Sequence, residues 1–113
     1  MAIVDLLNPP GPSSWYDELW LVTVEDNLDE LSRINAINAV TVPSIDHVHF
    51  KNNFYGYLQE KIGIERKYWY TVMRINHMLS PMEFDEKYDV ILVPDFNAVD
   101  NLHNLYLASL SNR

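Results

Sequence analysis

The fold of this chain is decided by residues 48–95, VHFKNNFYGYLQEKIGIERKYWYTVMRINHMLSPMEFDEKYDVILVPD. Around its start, Val48 and Phe50 alternate with two histidines, which is the period-two pattern of a half-buried strand. Near its end, Val90-Ile91-Leu92-Val93 is a short apolar run rich in branched side chains, followed by a proline. Such a run is typical of a buried strand. We therefore predict that this stretch begins and ends with a strand.

Two helices are predicted between these strands. The first begins at a cap, Asn52 or Asn53, carries apolar residues at spacings of three and four, and ends at Gly63. The second runs from about Glu65 to Leu79 and is ended by the Ser-Pro pair that follows. The predicted order is strand, helix, helix, strand.

This order resembles the lysin-motif (LysM) domain, in the variant found in phage tail and baseplate proteins. The residues that carry the resemblance are Tyr68-Trp69, Arg74-Ile75-Asn76, Leu79-Ser80-Pro81 and Val90-Ile91-Leu92-Val93-Pro94. They cover part of a segment that is somewhat under half of the chain. The resemblance implies an α+β fold, in which two helices pack on one side of a two-stranded antiparallel sheet, in a structural protein of the virion.

The same resemblance implies an alternative function, which is binding of peptidoglycan or chitin-type glycans. Two loops that would face the sugar differ from glycan-binding LysM domains. Residues 50–53, FKNN, stand where those domains carry a Gly-Asp-Thr type turn, and residues 86–89, EKYD, stand where they carry a glycine turn. The structural function therefore ranks first. If a glycan binds, we expect it to contact Asn52, Asn53, Asn76, Leu79 and Tyr88.

The composition of the chain limits the remaining classes of function. The chain has 113 residues, of which 48% are hydrophobic and 12% aromatic, so we predict one folded domain with extensions. A net charge of −8 with scattered basic residues disfavours nucleic-acid binding. An acidic inhibitor that mimics DNA ranks lowest, because no stripe of carboxylates is visible. The chain has no cysteine, and its first residues are too short an apolar run for a signal or a membrane span.

Four segments are predicted: an N-terminal arm (1–12), a helical extension (13–44), the LysM-like βααβ domain (45–95) and a C-terminal amphipathic helix (96–113). The prolines of residues 9–12 separate the arm from the rest. The arm packs either on its own domain or on another subunit. Its apolar residues are Ile3, Val4, Leu6 and Leu7.

Within the extension, Ser13 or Ser14 caps a short helical turn. Residues 19–24 are a strand or more helix, and Val22-Thr23-Val24 favours the strand. The large aromatic residues Trp15 and Trp20 either pack in the core, as most aromatics do, or anchor an interface.

A further helix is predicted to begin at Asp26 or Asn27 and to run to about Asn38, with Leu28, Leu31, Ile34 and Ile37 on its apolar face. Residues 40–42 are then extended. The C-terminal helix, capped by Asn97, needs a partner surface for its apolar stripe. The residues of this stripe that we expect at an interface are Leu102, Leu105 and Tyr106.

No catalytic or cofactor motif is present, and we predict no catalytic residue, cofactor or metal. His47 and His49 would share a strand face, a spacing that metals use, but Asp46 would point away, and solvated histidines are the expected alternative. The acidic residues of the loop at 83–86 are expected to be solvated rather than a catalytic pair. Together with these observations, the resemblance implies a non-enzymatic, multi-copy subunit of a virion tail or baseplate, made in the host cytoplasm. Its partners would be other virion proteins rather than nucleic acid or membrane.

Overall fold

The structure is a computed structural model that describes residues 13–32 and 38–111. A 3₁₀ turn (Ser13–Tyr16) leads into α1 (Glu18–Asp26) and α2 (Leu28–Ser32). Strand β1 (Asn38–Thr41) is followed by α3 (Ser44–His49) and α4 (Phe54–Tyr57), which continues as a π-helical turn (Leu58–Ile62). A 3₁₀ turn (Arg66–Tyr68) opens α5 (Trp69–Ile75). After another 3₁₀ turn (Pro81–Glu83), the chain forms β2 (Val90–Val93) and α6 (Phe96–Ser111).

The described chain is an α+β fold that is mostly helical, with one small antiparallel sheet. Strands β1 and β2 pair in the register Asn38 to Val93 and Thr41 to Val90. The coarse class and the second strand are therefore confirmed. The partner of β2, however, is residues 38–41 and not residues 47–50.

The strand predicted around Val48 is wrong, because residues 44–49 form helix α3. Asp46 lies in the first turn of α3, where its charge suits the helix dipole, and His47 and His49 lie in the last turn. The two apolar residues that face one side of α3, Ile45 and Val48, are exposed. The alternation around Val48 thus reflects a short helix whose buried side is polar.

The strand favoured for residues 19–24 is also wrong, because they lie in α1. Trp20 and Val24 are four residues apart and fully buried, so packing of one helix face outweighs the strand preference of the branched residues. The Thr23 hydroxyl donates to the carbonyl oxygen of Leu19 at 2.8 Å.

The helix predicted from residue 26 to 38 is shorter than expected. Asn27 ends α1, and α2 is described from Leu28 to Ser32. Leu31 is buried as predicted. Ile34 and Ile37 lie outside the described residues, and Asn38 already belongs to β1.

The first of the two central helices is confirmed at both ends. Asn53 caps α4, since its side-chain oxygen accepts a hydrogen bond from the Gly56 amide at 3.0 Å. Gly63 ends the π-helical turn with φ = 76°, and its amide donates to Leu58. This left-handed conformation is the one that glycine adopts without strain.

The second central helix ends earlier than residue 79. Helix α5 stops at Ile75, and His77 has φ = 64°. Likewise, α6 is capped by Asp95 rather than by Asn97, because the Asp95 side chain accepts a hydrogen bond from the Asn97 amide at 3.0 Å. Both helices therefore form where they are predicted, but α5 ends earlier and α6 has a different capping residue.

The core has two aromatic centres. One surrounds Phe84, which is fully buried and has the rings of Phe54 and Tyr57 at centroid distances of 5.2 and 5.1 Å. The other surrounds His103 of α6, whose ring stacks on Trp15 at 3.7 Å. Since Trp15 precedes α1, this second centre holds the N-terminal helices against α6.

Candidate functional site

An aromatic cleft of about 320 Å³ is the candidate site, and Tyr16, Tyr55, Arg66, Trp69 and Tyr70 line it. The cleft is built where the turn 13–16, helix α4 and the start of α5 meet. The rings of Tyr55 and Trp69 lie 5.3 Å apart. Its walls are almost entirely apolar, which suits a ligand with a flat or ring-shaped apolar face.

The Trp69 ring is held in place from two sides. Its indole Nε1 donates to the carbonyl oxygen of Ile64 at 2.8 Å. The Arg66 guanidinium lies 5.4 Å from the ring centroid, within the range of a cation–π contact. The ring orientation is therefore fixed by the protein before any ligand binds.

Arg66 is an exposed cation that forms no salt bridge with a carboxylate in residues 13–32 and 38–111. In contrast, Arg74 pairs with Glu25 at 3.0 Å. A guanidinium beside aromatic rings can bind a carboxylate with two hydrogen bonds. The cleft thus combines apolar walls with one available positive charge.

The three tyrosines of the cleft stay neutral near physiological pH. Burial raises the pKa of Tyr55 and also that of Tyr70, which lies beside Glu25. Burial raises the pKa of Tyr16 too, against the opposing effect of Arg66. The structure shows no hydrogen bond from the Tyr55 hydroxyl to another described residue. That hydroxyl is available as a donor.

A second cleft, of about 330 Å³, lies beside His103 and includes Ser14, Lys67 and Asp100. The Ser14 hydroxyl lies 3.1 Å from His103 Nε2, and burial lowers the pKa of His103. The Asp100 carboxylate accepts a hydrogen bond of 2.6 Å from the Tyr68 hydroxyl. These contacts join the turn 13–16, the turn 66–68 and helix α6, and explain why a histidine is buried here.

The residues predicted for a glycan are found in separate roles. Asn53 caps α4, and Asn76 is buried, with its amide bonded to Val72 and Leu92. Asn52 has φ = 61° and is exposed, and Leu79 is exposed too. Tyr88 packs near Phe84, with ring centroids 6.3 Å apart. Glycan binding by these residues stays a prediction.

Of the residues predicted for an interface, some are buried in the core and others are exposed. Trp15, Trp20 and Tyr106 are buried in the core of the same chain, which is the alternative weighed for the two tryptophans. Leu102 is half-buried and Leu105 is exposed. The remaining four, Ile3, Val4, Leu6 and Leu7, lie outside the described residues.

Sequence reasoning did not find the aromatic cleft. The sequence places Tyr55, Trp69 and Tyr70 on helices, uses Trp69 also for the LysM resemblance, and predicts no role for Arg66. The signal in the sequence was the density of aromatics, since Tyr68-Trp69-Tyr70 must expose at least one ring on a helix. Which ring is exposed depends on how the turn 13–16 packs against α5.

Two structural findings concern metals and membranes. Within residues 13–32 and 38–111, no three His, Asp or Glu side chains are placed to hold a metal ion together. His47 is instead buried, and its Nε2 lies 3.0 Å from the carbonyl oxygen of Tyr88. None of the helices in the described ranges is long and apolar enough to cross a membrane.

Comparison of the chain with protein-family models, curated proteins and solved structures finds no match.

Proposed function

We propose that this chain is a non-enzymatic structural subunit of a phage tail or baseplate. The unit formed by the β1–β2 sheet and the helices between its strands would act as a LysM-like adaptor, and the terminal segments would dock on neighbouring subunits. The phage setting is supported by the sequence resemblance of residues 68–94. The docking role is supported by the distribution of exposed apolar side chains.

The observation that carries the proposal is a set of exposed apolar pairs three residues apart. They are Leu19 with Val22 on α1, Ile45 with Val48 on α3, and Leu79 with Met82 around the 81–83 turn. A single exposed apolar residue needs no explanation, but adjacent ones form patches of the kind that mark contacts between proteins. The pairs lie on different elements, as expected for a subunit with several neighbours.

Helix α6 supports the same interpretation. Val99 and Tyr106 bury one face of this helix in the domain, and the Tyr106 hydroxyl donates to Asp17 at 3.0 Å. Leu105, on another face, is 68% exposed. The helix is therefore anchored by its own domain and presents an apolar side chain to a neighbour.

Incorporation of the chain into particles tests this function. A chain without Met1–Leu7, and separately a Leu105→Asp variant, should keep a dispersed amide spectrum but be lost from purified particles. Asn101→Asp is the matched control, because Asn101 is exposed on the same helix. Normal incorporation of both altered chains would contradict the proposal.

A titration with N-acetylglucosamine oligomers separates the alternative function. Saturable amide shifts around residues 50–53 and 76–81 would favour a glycan-binding module. An unchanged spectrum at millimolar sugar is the result that we expect for an adaptor.

A further inference from the structure

The aromatic cleft offers a ligand a particular set of groups. It provides aromatic surface that includes Tyr55 and Trp69, and the exposed guanidinium of Arg66 lies beside the Trp69 ring. Among the described residues, no carboxylate or amide side chain lines it. A ligand that fits must therefore bring apolar rings and hydrogen-bond acceptors, and needs few donors of its own.

An extended proline-rich peptide has this chemistry. Proline has no N–H, so such a peptide is poor in donors, while its carbonyl groups point outward without internal partners. Grooves lined by aromatic side chains recognise such peptides because the extended form is already adopted before binding. The guanidinium of Arg66, which has no carboxylate partner among the described residues, adds a preference for a carboxylate near the prolines.

The amino-acid sequence of this chain contains such a peptide. Asn8-Pro9-Pro10-Gly11-Pro12 supplies three prolines in five residues, and Asp5 supplies a carboxylate three residues earlier. In the polyproline conformation, five residues are about 15 Å long, and Asp5 would lie about 9 Å beyond Asn8. A cleft of about 320 Å³ has room for a few proline rings rather than for the whole segment, so the rest of the peptide would lie across its rim beside Arg66.

We propose that the aromatic cleft binds residues 5–12 of a neighbouring copy of this chain. The prolines pack on Tyr55 and Trp69, and the Asp5 carboxylate pairs with Arg66. This inference rests on the proposed function, in which the N-terminal arm docks on neighbours, and it names the receptor for that arm.

The test uses a synthetic peptide with the sequence of residues 5–12, DLLNPPGP, added to the ¹⁵N-labelled full-length chain. In the labelled chain, Pro9, Pro10 and Pro12 are replaced by Ala, so that its own arm does not compete. We expect saturable shifts at the amides of residues 55 and 66 and at the Trp69 indole. A peptide with alanine in place of the prolines should not produce them.

A double-mutant cycle tests the predicted ion pair. Arg66→Gln in the chain and Asp5→Asn in the peptide should each weaken binding about threefold to tenfold. When both changes are combined, the losses should not multiply, because the second change removes a contact that is already lost. Lys67→Gln is the matched control in the chain, since Lys67 faces Trp15 and Tyr68 rather than the cleft.

The outcomes separate this inference from the proposed function. Absence of shifts at millimolar peptide, or losses that multiply fully, would overturn the inference. Peptide shifts on α1 or α6 instead would leave arm docking intact and exclude the cleft as its receptor. In isotope-filtered spectra of mixed labelled and unlabelled wild-type chains, we expect proline contacts to Trp69 between copies. Contacts only within one copy would show that the arm binds the cleft of its own chain, and would refute binding between copies. Normal incorporation of both the arm-deleted chain and the Leu105→Asp variant would refute the function while leaving the peptide site standing.

Discussion

Replacing Asn76 by Ala should destabilise the whole fold, because this side chain joins helix α5 to the sheet. Asn76 is 8% exposed at the end of α5. Its Nδ2 donates to the carbonyl oxygens of Val72 and Leu92 at 2.8 and 2.9 Å, and its Oδ1 accepts from the Leu92 amide at 2.7 Å. The carboxamide thus bonds both backbone groups of Leu92, as a residue of a neighbouring strand would.

The expected loss follows from those three hydrogen bonds. Each contributes about 1 kcal/mol net, so Asn76→Ala should lower the free energy of unfolding by about 3 kcal/mol. The Val72 carbonyl keeps a partner, because it also accepts the backbone amide of Asn76. The Leu92 amide and carbonyl lose their side-chain partner, so they account for most of the loss. For a small domain with about 5–15 kcal/mol in total, this change is large.

Urea denaturation and amide exchange measure the effect together. The unfolding midpoint should fall, and the Leu92 amide should lose protection. Asn101→Ala, on an exposed position of α6, is the control and should change stability by no more than about 0.5 kcal/mol. A loss below about 1 kcal/mol for Asn76→Ala, or an unchanged Leu92 amide, would refute this role.

Three more predictions concern other parts of the fold. Gly63→Ala should cost about 1 kcal/mol in thermal or urea unfolding, because Gly63 has φ = 76°, and an unchanged midpoint would contradict the left-handed turn. Phe84→Ala removes a fully buried ring between Phe54 and Tyr57 and should cost about 3–5 kcal/mol, enough to leave much of the chain unfolded by circular dichroism. Burial lowers the pKa of His103 in the folded chain, so its neutral form favours folding above the ordinary histidine pKa of about 6.5, and stability should fall as the pH drops below that value. His103→Gln should remove this part of the pH dependence, and an identical pH profile would exclude His103 as its source.

Much of the fold could be predicted where a signal is local. Gly63 ends its helix because glycine adopts a left-handed backbone conformation without strain. Asn53 caps its helix through a hydrogen bond between its side chain and an amide three residues away, and β2 is a run of branched residues. The choice between strand and helix for residues 19–24 depended on a distant partner, since Trp20 packs against His103 and Tyr106 of α6. Strand propensity alone favours the wrong secondary structure for residues 19–24.

The first strand illustrates a different limit. Polar and apolar residues alternate at 47–50, as they do in a half-buried strand, but residues 44–49 form helix α3. Strand β1 is mostly exposed, so it lacks the alternation of buried and exposed residues by which a strand is predicted from sequence. The candidate site was harder still, because its residues come from three separated segments. Helix periodicity could predict that Tyr55 and Trp69 each lie on a helix, but not that Tyr16 would line the same cleft.

The pairing of β1 with β2 also has a consequence for the order of folding. All four residue pairs of the sheet bridge the helices and turns between residue 42 and residue 89. Closing so long a loop is entropically costly until the helices inside it have collapsed, so the sheet is expected to form late. During synthesis, β1 leaves the ribosome well before its partner exists. Its length of four residues and its polar ends, Asn38 and Thr41, limit pairing with strands of other chains during that interval.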